Sequence, residues 1–445
     1  MRLLFLLGSL LIAAQTVPAD TLYQGGMKDP ALQQFQPLRA PKAPRLMIKQ
    51  GDRLAICGDS ITEQKMYSRL IEDYLTVCVP QLDVTVRQYG WSGERAGGFL
   101  GRMTNDCLRF QPTIATTCYG MNDHEYRPYE PRIGDAYRQN SAAILKAFKA
   151  NQVRVVMGSP GPVGKMPSWV KTASGTVHDL NMNLCRLRNI GIGLAREEKV
   201  GFADLFWPML TTGIKAQTLY GPDYAIAGKD GVHPGWAGQA MMAYAFLKAM
   251  GLDGEVARLE VDLKHGRITT SEGHYATSSG AGEFTIESSR YPFCACLPQT
   301  KGYPTCGAND AGRDDTIRSV LQLVPFDQDL NRFMLVVKGA KKKNYRVTWG
   351  TESLSIPGSD LKHGVNLASL FPSNPFSAAF ARVDEAVAAK QAYETAQVKQ
   401  SFHSAEARAN MDATVLRTES ERAPLASAIK SAFVPVRHTL KIEQE

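Results

Sequence analysis

Between Gly51 and Met250 short apolar, β-branched runs alternate with stretches whose apolar residues recur at helical spacing. No other feature limits the fold as much. Arg53 to Cys57 predicts a first strand, Val84 to Tyr89 a second, Thr113 to Cys118 a third, Val153 to Met157 a fourth and Val200 to Leu205 a fifth. Helical spacing falls between them: Leu70, Ile71, Tyr74 and Leu75 share one face of Tyr67 to Val77, and Ala142 to Ala150 and Leu180 to Ala195 follow. Trp236 to Met250 predicts a closing helix. Strands separated by helices pair in parallel through right-handed crossovers, with both faces of the sheet covered. The expected fold class is therefore α/β, and the reactive groups of such a sheet collect at the carboxyl ends of its strands.

A chain of 445 residues exceeds one ordinary domain. After Gly251 the pattern changes: Val256 to Leu263, Glu283 to Ser288, Phe333 to Lys338 and Tyr345 to Trp349 read as strands joined by Gly- and Ser-rich turns, with no helical run of note between them. A mostly β accessory unit is expected over 251–372. Ala, Glu, Lys and Gln then dominate, which predicts a helical C-terminal region over 373–445, with Val434 to Ile442 as a last strand returning to the β unit. Residues 20–48, rich in Pro, Gln and Lys, read as an extended arm before the α/β unit over 49–250.

The first residues resemble an export signal. Arg2 supplies the positive start, Leu3 to Ala14 the short apolar run and Val17-Pro18-Ala19 the cleavage site, so 1–19 is expected to be removed and the protein to be secreted or periplasmic. The run is too short to span a bilayer, and no later segment is long and apolar enough, so no stable membrane insertion is expected after cleavage. Export permits disulfides among the eight cysteines. Cys57 and Cys118 end apolar runs and read as buried thiols; Cys294, Cys296 and Cys306 lie in a loop-like stretch and suggest a local staple. The net charge of +8 is spread along the chain, and only Lys341-Lys342-Lys343 clusters. Without a basic stripe interleaved with aromatic residues, no nucleic-acid partner is expected.

Four motifs carry chemistry. Gly58-Asp59-Ser60 follows the first strand directly, and its glycine permits a tight turn that lifts Ser60 to the sheet edge at a helix N-terminus. Asp and Ser there also make ordinary helix caps. Asp230-Gly231-Val232-His233 precedes the closing helix: Asp230 can accept the imidazole Nδ1–H and leave Nε2 to take a serine proton. Asn122, in Gly120-Met121-Asn122-Asp123 after the third strand, can donate to a developing oxyanion. Gly93, in Trp91-Ser92-Gly93 after the second strand, allows close approach to its backbone N–H, and the Ser60 N–H is a third donor. Asp59, Trp91, Tyr119, Met121 and His124 are candidate substrate-contacting residues, and Tyr126 a candidate for the same wall.

Taken in order, Ser60, Gly93, Asn122 and His233 resemble the four hallmark residues of the SGNH, or GDSL-like, hydrolases, with Asp230 matching the third triad member. The likeness covers roughly 51–250; one departure is Ile61, where the family usually carries Leu after Gly-Asp-Ser. The resemblance implies a three-layer α/β/α sandwich with a five-stranded parallel sheet of flavodoxin-like type. It also implies a shallow open site and an acyl-enzyme mechanism without metal or cofactor. Ser60, Asp230 and His233 are then the catalytic residues, and Ser60, Gly93 and Asn122 form the oxyanion hole. An ester is the expected substrate, with an acetylated polysaccharide as the favoured class. Alternatives are a lipase or arylesterase, and a carbohydrate-binding protein on an inactive scaffold. A metallohydrolase using Asp59, Asn122, Asp123 and His233 is a further rival. An α/β-hydrolase is disfavoured because Thr62 stands where its Gly-x-Ser-x-Gly motif needs glycine.

Overall fold

The computed structural model describes residues 24, 29–43, 45–171, 174–280, 282–294 and 316–445. Residues 1–19, expected to be a leader, and Cys296 and Cys306 lie outside them, and with them the expected cleavage site and staple. Strands β1 (Arg53–Gly58), β2 (Thr85–Gly90), β3 (Ile114–Cys118), β4 (Arg154–Gly158) and β5 (Gly201–Ala203) form one all-parallel sheet in the order β2-β1-β3-β4-β5. This is the doubly wound arrangement expected from the alternation, with its topological switch beside β1. The central strands β1 and β3 are buried almost throughout, as a sheet covered on both faces requires. Tyr67–Val77 and Trp236–Ala249 cover one face, while Ala96–Asp106, Pro131–Ala150 and Val177–Glu198 cover the other. A further helix, Phe206–Tyr220, belongs to this unit and was not foreseen.

The accessory unit contains two sheets. β6 (Glu255–Asp262), β7 (Arg267–Thr270), β10 (Arg332–Lys338) and β13 (Val365–Asn366) take the order β13-β10-β6-β7, with β10 and β6 parallel. β8 (His274–Gly280), β9 (Glu283–Ser288), β11 (Asn344–Trp349), β12 (Glu352–Pro357) and β14 (Val436–Gln444) form an antiparallel sheet in the order β12-β11-β14-β9-β8. The last strand of the chain thus sits in the middle of its sheet. Phe333, Trp349 and Phe376 pack between the sheets with ring centroids 5.1–5.8 Å apart. Short helices at Ile317–Leu321, Phe326–Asp329, Gly358–His363 and Leu367–Leu370 interrupt the strands, which corrects the expectation of a region without helical runs.

The C-terminal helices Ser377–Ala396 and Met411–Ala432 pack on each other, and the first also packs on Tyr67–Val77 and β2 of the hydrolase unit. β2 is an edge strand, and an exposed edge is a template for unwanted pairing. Here its outward groups are taken by charged side chains. Val86 O accepts from Lys390 Nζ at 2.6 Å and Arg422 at 3.2 Å, and Gln88 N–H donates to Glu394 at 3.1 Å. Lys390, Glu72 and Glu394 are almost completely buried, and the ammonium lies 3.0 Å from each carboxylate. Among the described residues no helix is long and apolar enough to cross a membrane.

Candidate active site

β1 ends on Gly58, where a Cβ would come within 2.0 Å of Thr62 Oγ1 and 2.9 Å of Cys118 O. Only glycine lets the chain turn there into the Ser60–Glu63 helix. Asp59 caps that helix, its Oδ1 accepting the Ile61 N–H at 3.0 Å. Ser60 is the first helical residue, so its own N–H has no intrahelical acceptor. Burial, and then the charges of Asp123 and Glu94, push the Asp59 carboxyl up to about 7.

His233 Nε2 lies 2.8 Å from Ser60 Oγ, and Nδ1 lies 2.7 Å from Asp230 Oδ2. A carboxylate only accepts, so Nδ1 carries the proton and Nε2 accepts from the serine hydroxyl. Burial alone would raise the Asp230 carboxyl. The amides of His233 and Val232, at 2.8 and 2.9 Å from Oδ1, and the His233 ring outweigh it and hold the group below its ordinary range. Asp230 thus stays ionised and fixes both tautomer and ring orientation. The loop bends tightly at Gly231, where φ is +87° and a Cβ would fall 2.4 Å from Lys165 O.

The candidate oxyanion donors converge on the same edge. Asn122 Nδ2 donates to Glu94 O at 3.1 Å, and Asn122 Oδ1 accepts from Tyr126 OH at 3.2 Å. These two bonds orient the amide and leave its second N–H for a ligand. Gly93 adopts φ +75° with open space where a Cβ would stand, so its backbone is open to a substrate. The loop bearing it has two anchors. On one side Glu94 is held by Arg102 at 2.6 and 2.7 Å and by Tyr119 OH at 3.0 Å, all buried. On the other, the Ser92 N–H donates to the carboxylate of Glu63, whose two oxygens lie 2.8 and 2.9 Å from Lys399 Nζ.

The structure therefore brings Ser60, Asp230, His233, Gly93 and Asn122 together. It does not bring Asp59, Tyr119, Met121 or His124 to a pocket wall, and the expectation that they touch substrate is corrected. Their exposures are 2%, 4%, 1% and 0%, so they support the site from beneath. His124 is packed against Tyr126, its Nδ1 bonded to Met121 O, and burial pushes its ring down to about 4. Asp59 and Asp123 spend their oxygens on backbone amides, Asp123 on Gly120 at 2.9 Å and Ala96 at 3.0 Å. Among the described residues no three His, Cys, Asp or Glu side chains are grouped as a metal needs. Cys57 and Cys118 are buried free thiols.

Trp91, a candidate substrate contact from the sequence, is half-buried, and its backbone N–H donates to Gly58 O at 3.0 Å. Trp169, 44% exposed, was not singled out in the sequence. Its ring lies 5.6 Å from His233 and 6.1 Å from Tyr126. A tryptophan in the Gly- and Pro-rich loop after β4, at the carboxyl edge, is the signal that could have found it. Glu63, Lys399 and His403 were also missed. His403 meets the Trp91 ring edge-on at 5.0 Å and bonds Asp106 at 2.9 Å, while Lys399 Nζ lies 5.6 Å from the Trp91 centroid.

Residues 56–241 match the model of the GDSL-like Lipase/Acylhydrolase family. No curated protein matches the chain. Among solved structures, a gut microbial diltiazem-metabolizing enzyme superposes with a TM-score of 0.70 at 22% identity, covering 91% of this chain and 100% of its own. That likeness extends the shared fold well beyond the catalytic domain. A GDSL-like lipase from Parabacteroides merdae (22% identity, TM-score 0.39) covers 47% of this chain and 99% of its own. The acetylxylan esterase Axe2 of Geobacillus stearothermophilus (21% identity, TM-score 0.38) covers 46% and 97%. Residues 56–241 therefore form a GDSL-like lipase/acylhydrolase domain, and the chain is an ester-bond hydrolase.

Proposed function

We propose that the protein removes acetyl groups from a carbohydrate outside the cytoplasm, through an acyl-enzyme on Ser60. The observation that carries the mechanism is the unbroken chain Ser60 Oγ–His233 Nε2, His233 Nδ1–Asp230, with both links under 3 Å. His233 takes the serine proton as Oγ attacks the ester carbonyl, and the bond from carbonyl carbon to Oγ forms. The carbonyl oxygen becomes an anion facing the Ser60 and Gly93 N–H groups and the free N–H of Asn122. His233 then protonates the leaving alcohol as its bond to carbon breaks. Water, deprotonated by the same imidazole, releases the acyl group as acid and regenerates Ser60.

The substrate reading rests on the site's shape and lining. Grooves of about 380 and 430 Å³ elsewhere in the molecule include neither Ser60 nor His233 in their walls. Tyr119, Met121 and His124, which flank Asn122 along the chain, are 4%, 1% and 0% exposed, which favours a short acyl group over a long chain. Trp169, 44% exposed beside His233, offers an aromatic face suited to a sugar ring. The leader-like residues 1–19 support the export part of this reading.

The test follows acetate release from acetylated xylan and pectin by the wild type and Ser60→Ala, with and without chelator, beside aryl esters of short and long chain. Acetate released by the wild type alone, chelator or not, is expected. Wild-type rates in Ser60→Ala would overturn the mechanism. Activity confined to long-chain esters would overturn the carbohydrate assignment alone.

A further inference from the structure

The family's domain ends before residue 250, yet one of the two anchors of the Gly93 loop, Glu63, is itself held from the far end of the chain. The helix Ser377–Ala396 continues into a π-helical turn, Gln397–Ser401. Such turns cost hydrogen-bond geometry and cluster at functional sites. Lys399 sits on it. Its ammonium, partly buried, spans both oxygens of Glu63 and lies near the face of Trp91. Glu63 belongs to the same short helix that Ser60 opens, and its carboxylate accepts the N–H of Ser92, one residue before Gly93. The nucleophile helix and the candidate oxyanion loop are thus tied through one carboxylate, and that carboxylate is oriented from outside the domain. His403, two residues beyond the π turn, meets Trp91 edge-on and is fixed by buried Asp106.

We propose that Lys399 is a positioning residue of the active site, and that the C-terminal π turn is part of the catalytic unit. It holds Glu63 in the rotamer that pins Ser92, and so sets where the Gly93 N–H points. An oxyanion donor acts only when its hydrogen lies where the charge develops, so small displacements of the loop are felt in turnover more than in binding. The Lys399–Glu63 pair holds the Glu63 carboxylate below its usual range, which keeps it an acceptor for Ser92 at neutral pH.

The proposal rests on the serine-esterase reading for its kinetic consequence, while its structural content can be read without turnover. Full-length wild type, K399M, K399R and E63Q are compared in two ways. Amide hydrogen exchange is followed in peptides covering 91–95. Steady-state hydrolysis of 4-nitrophenyl acetate gives kcat and KM. Faster exchange at 91–95 is expected in K399M and E63Q, with exchange in the β unit unchanged. The expected kinetic result is a kcat lowered about 10- to 100-fold, a KM within about twofold, and recovery of most of the rate in K399R. Wild-type exchange at 91–95 in both K399M and E63Q would overturn the proposal, as would wild-type kcat in both. A wild type without Ser60-dependent turnover would sink the esterase reading instead, and the exchange data would still decide the loop's dependence on Lys399.

Discussion

Asn122 illustrates how a single side chain is prepared. Its oxygen is occupied by Tyr126, one amide hydrogen by Glu94 O, and only the other hydrogen remains to meet a ligand. Such a donor stabilises charge without reorganising when that charge appears. Asn122→Ala should lower kcat about 10²–10³-fold with a smaller effect on KM. Steady-state kinetics on an aryl acetate checks this, and an equal loss in both parameters would contradict it. Asp59 gives a prediction about stability. Its carboxyl titrates near 3.8 when free and at about 7 when folded, so the folded state holds the proton more tightly. Its contribution is complete below the unfolded value and is lost as pH rises through the folded one. Asp59→Asn keeps an acceptor for the Ile61 N–H but cannot ionise. Urea unfolding should therefore show the variant gaining on the wild type between pH 4 and pH 7 and levelling off above. A difference that shrinks over that window would contradict the assignment.

Among the elements, the edge of β2 shows how charge substitutes for a missing strand. Lys390 answers two carboxylates and a carbonyl at once. Removing one partner of a buried ionic set leaves the others uncompensated. Lys390→Met should cost about 3–5 kcal/mol of unfolding free energy, measured by denaturant titration. A change under about 1 kcal/mol would mean that water enters and solvates Glu72 and Glu394. The five parallel strands and the closing helix were legible in the sequence because strands buried on both faces read as continuous apolar runs. β7, β8 and β12 were not, since they are largely exposed, and a strand that buries few apolar side chains leaves little pattern in the sequence. Ser60, Gly93, Asn122 and His233 could be picked out because each lies in a short motif next to an element boundary. Trp169 and Lys399 could not, because what they touch is settled by packing across long stretches of chain: Lys399 meets Glu63 across 336 positions.

At the scale of the whole molecule the chain runs from hydrolase unit to β unit, back across the hydrolase unit as two helices, and returns to the β unit as β14. That last strand pairs with β11 on one side and β9 on the other. A chain ending at Phe433 should leave two unpaired strand edges and associate through them. Light scattering and the fluorescence of Trp349, fully buried beside Leu440 in the intact sheet, report the outcome. A monodisperse variant with native emission would show that the sheet closes without its middle strand. The position of β14 also bears on the order of assembly. Ser60, Asp230 and His233 all come from segments before residue 251, whereas the second sheet closes only when residues 436–444 enter between β9 and β11. Contacts so far apart along the chain are slow to form, so the reactive groups can gather before the β unit is sealed.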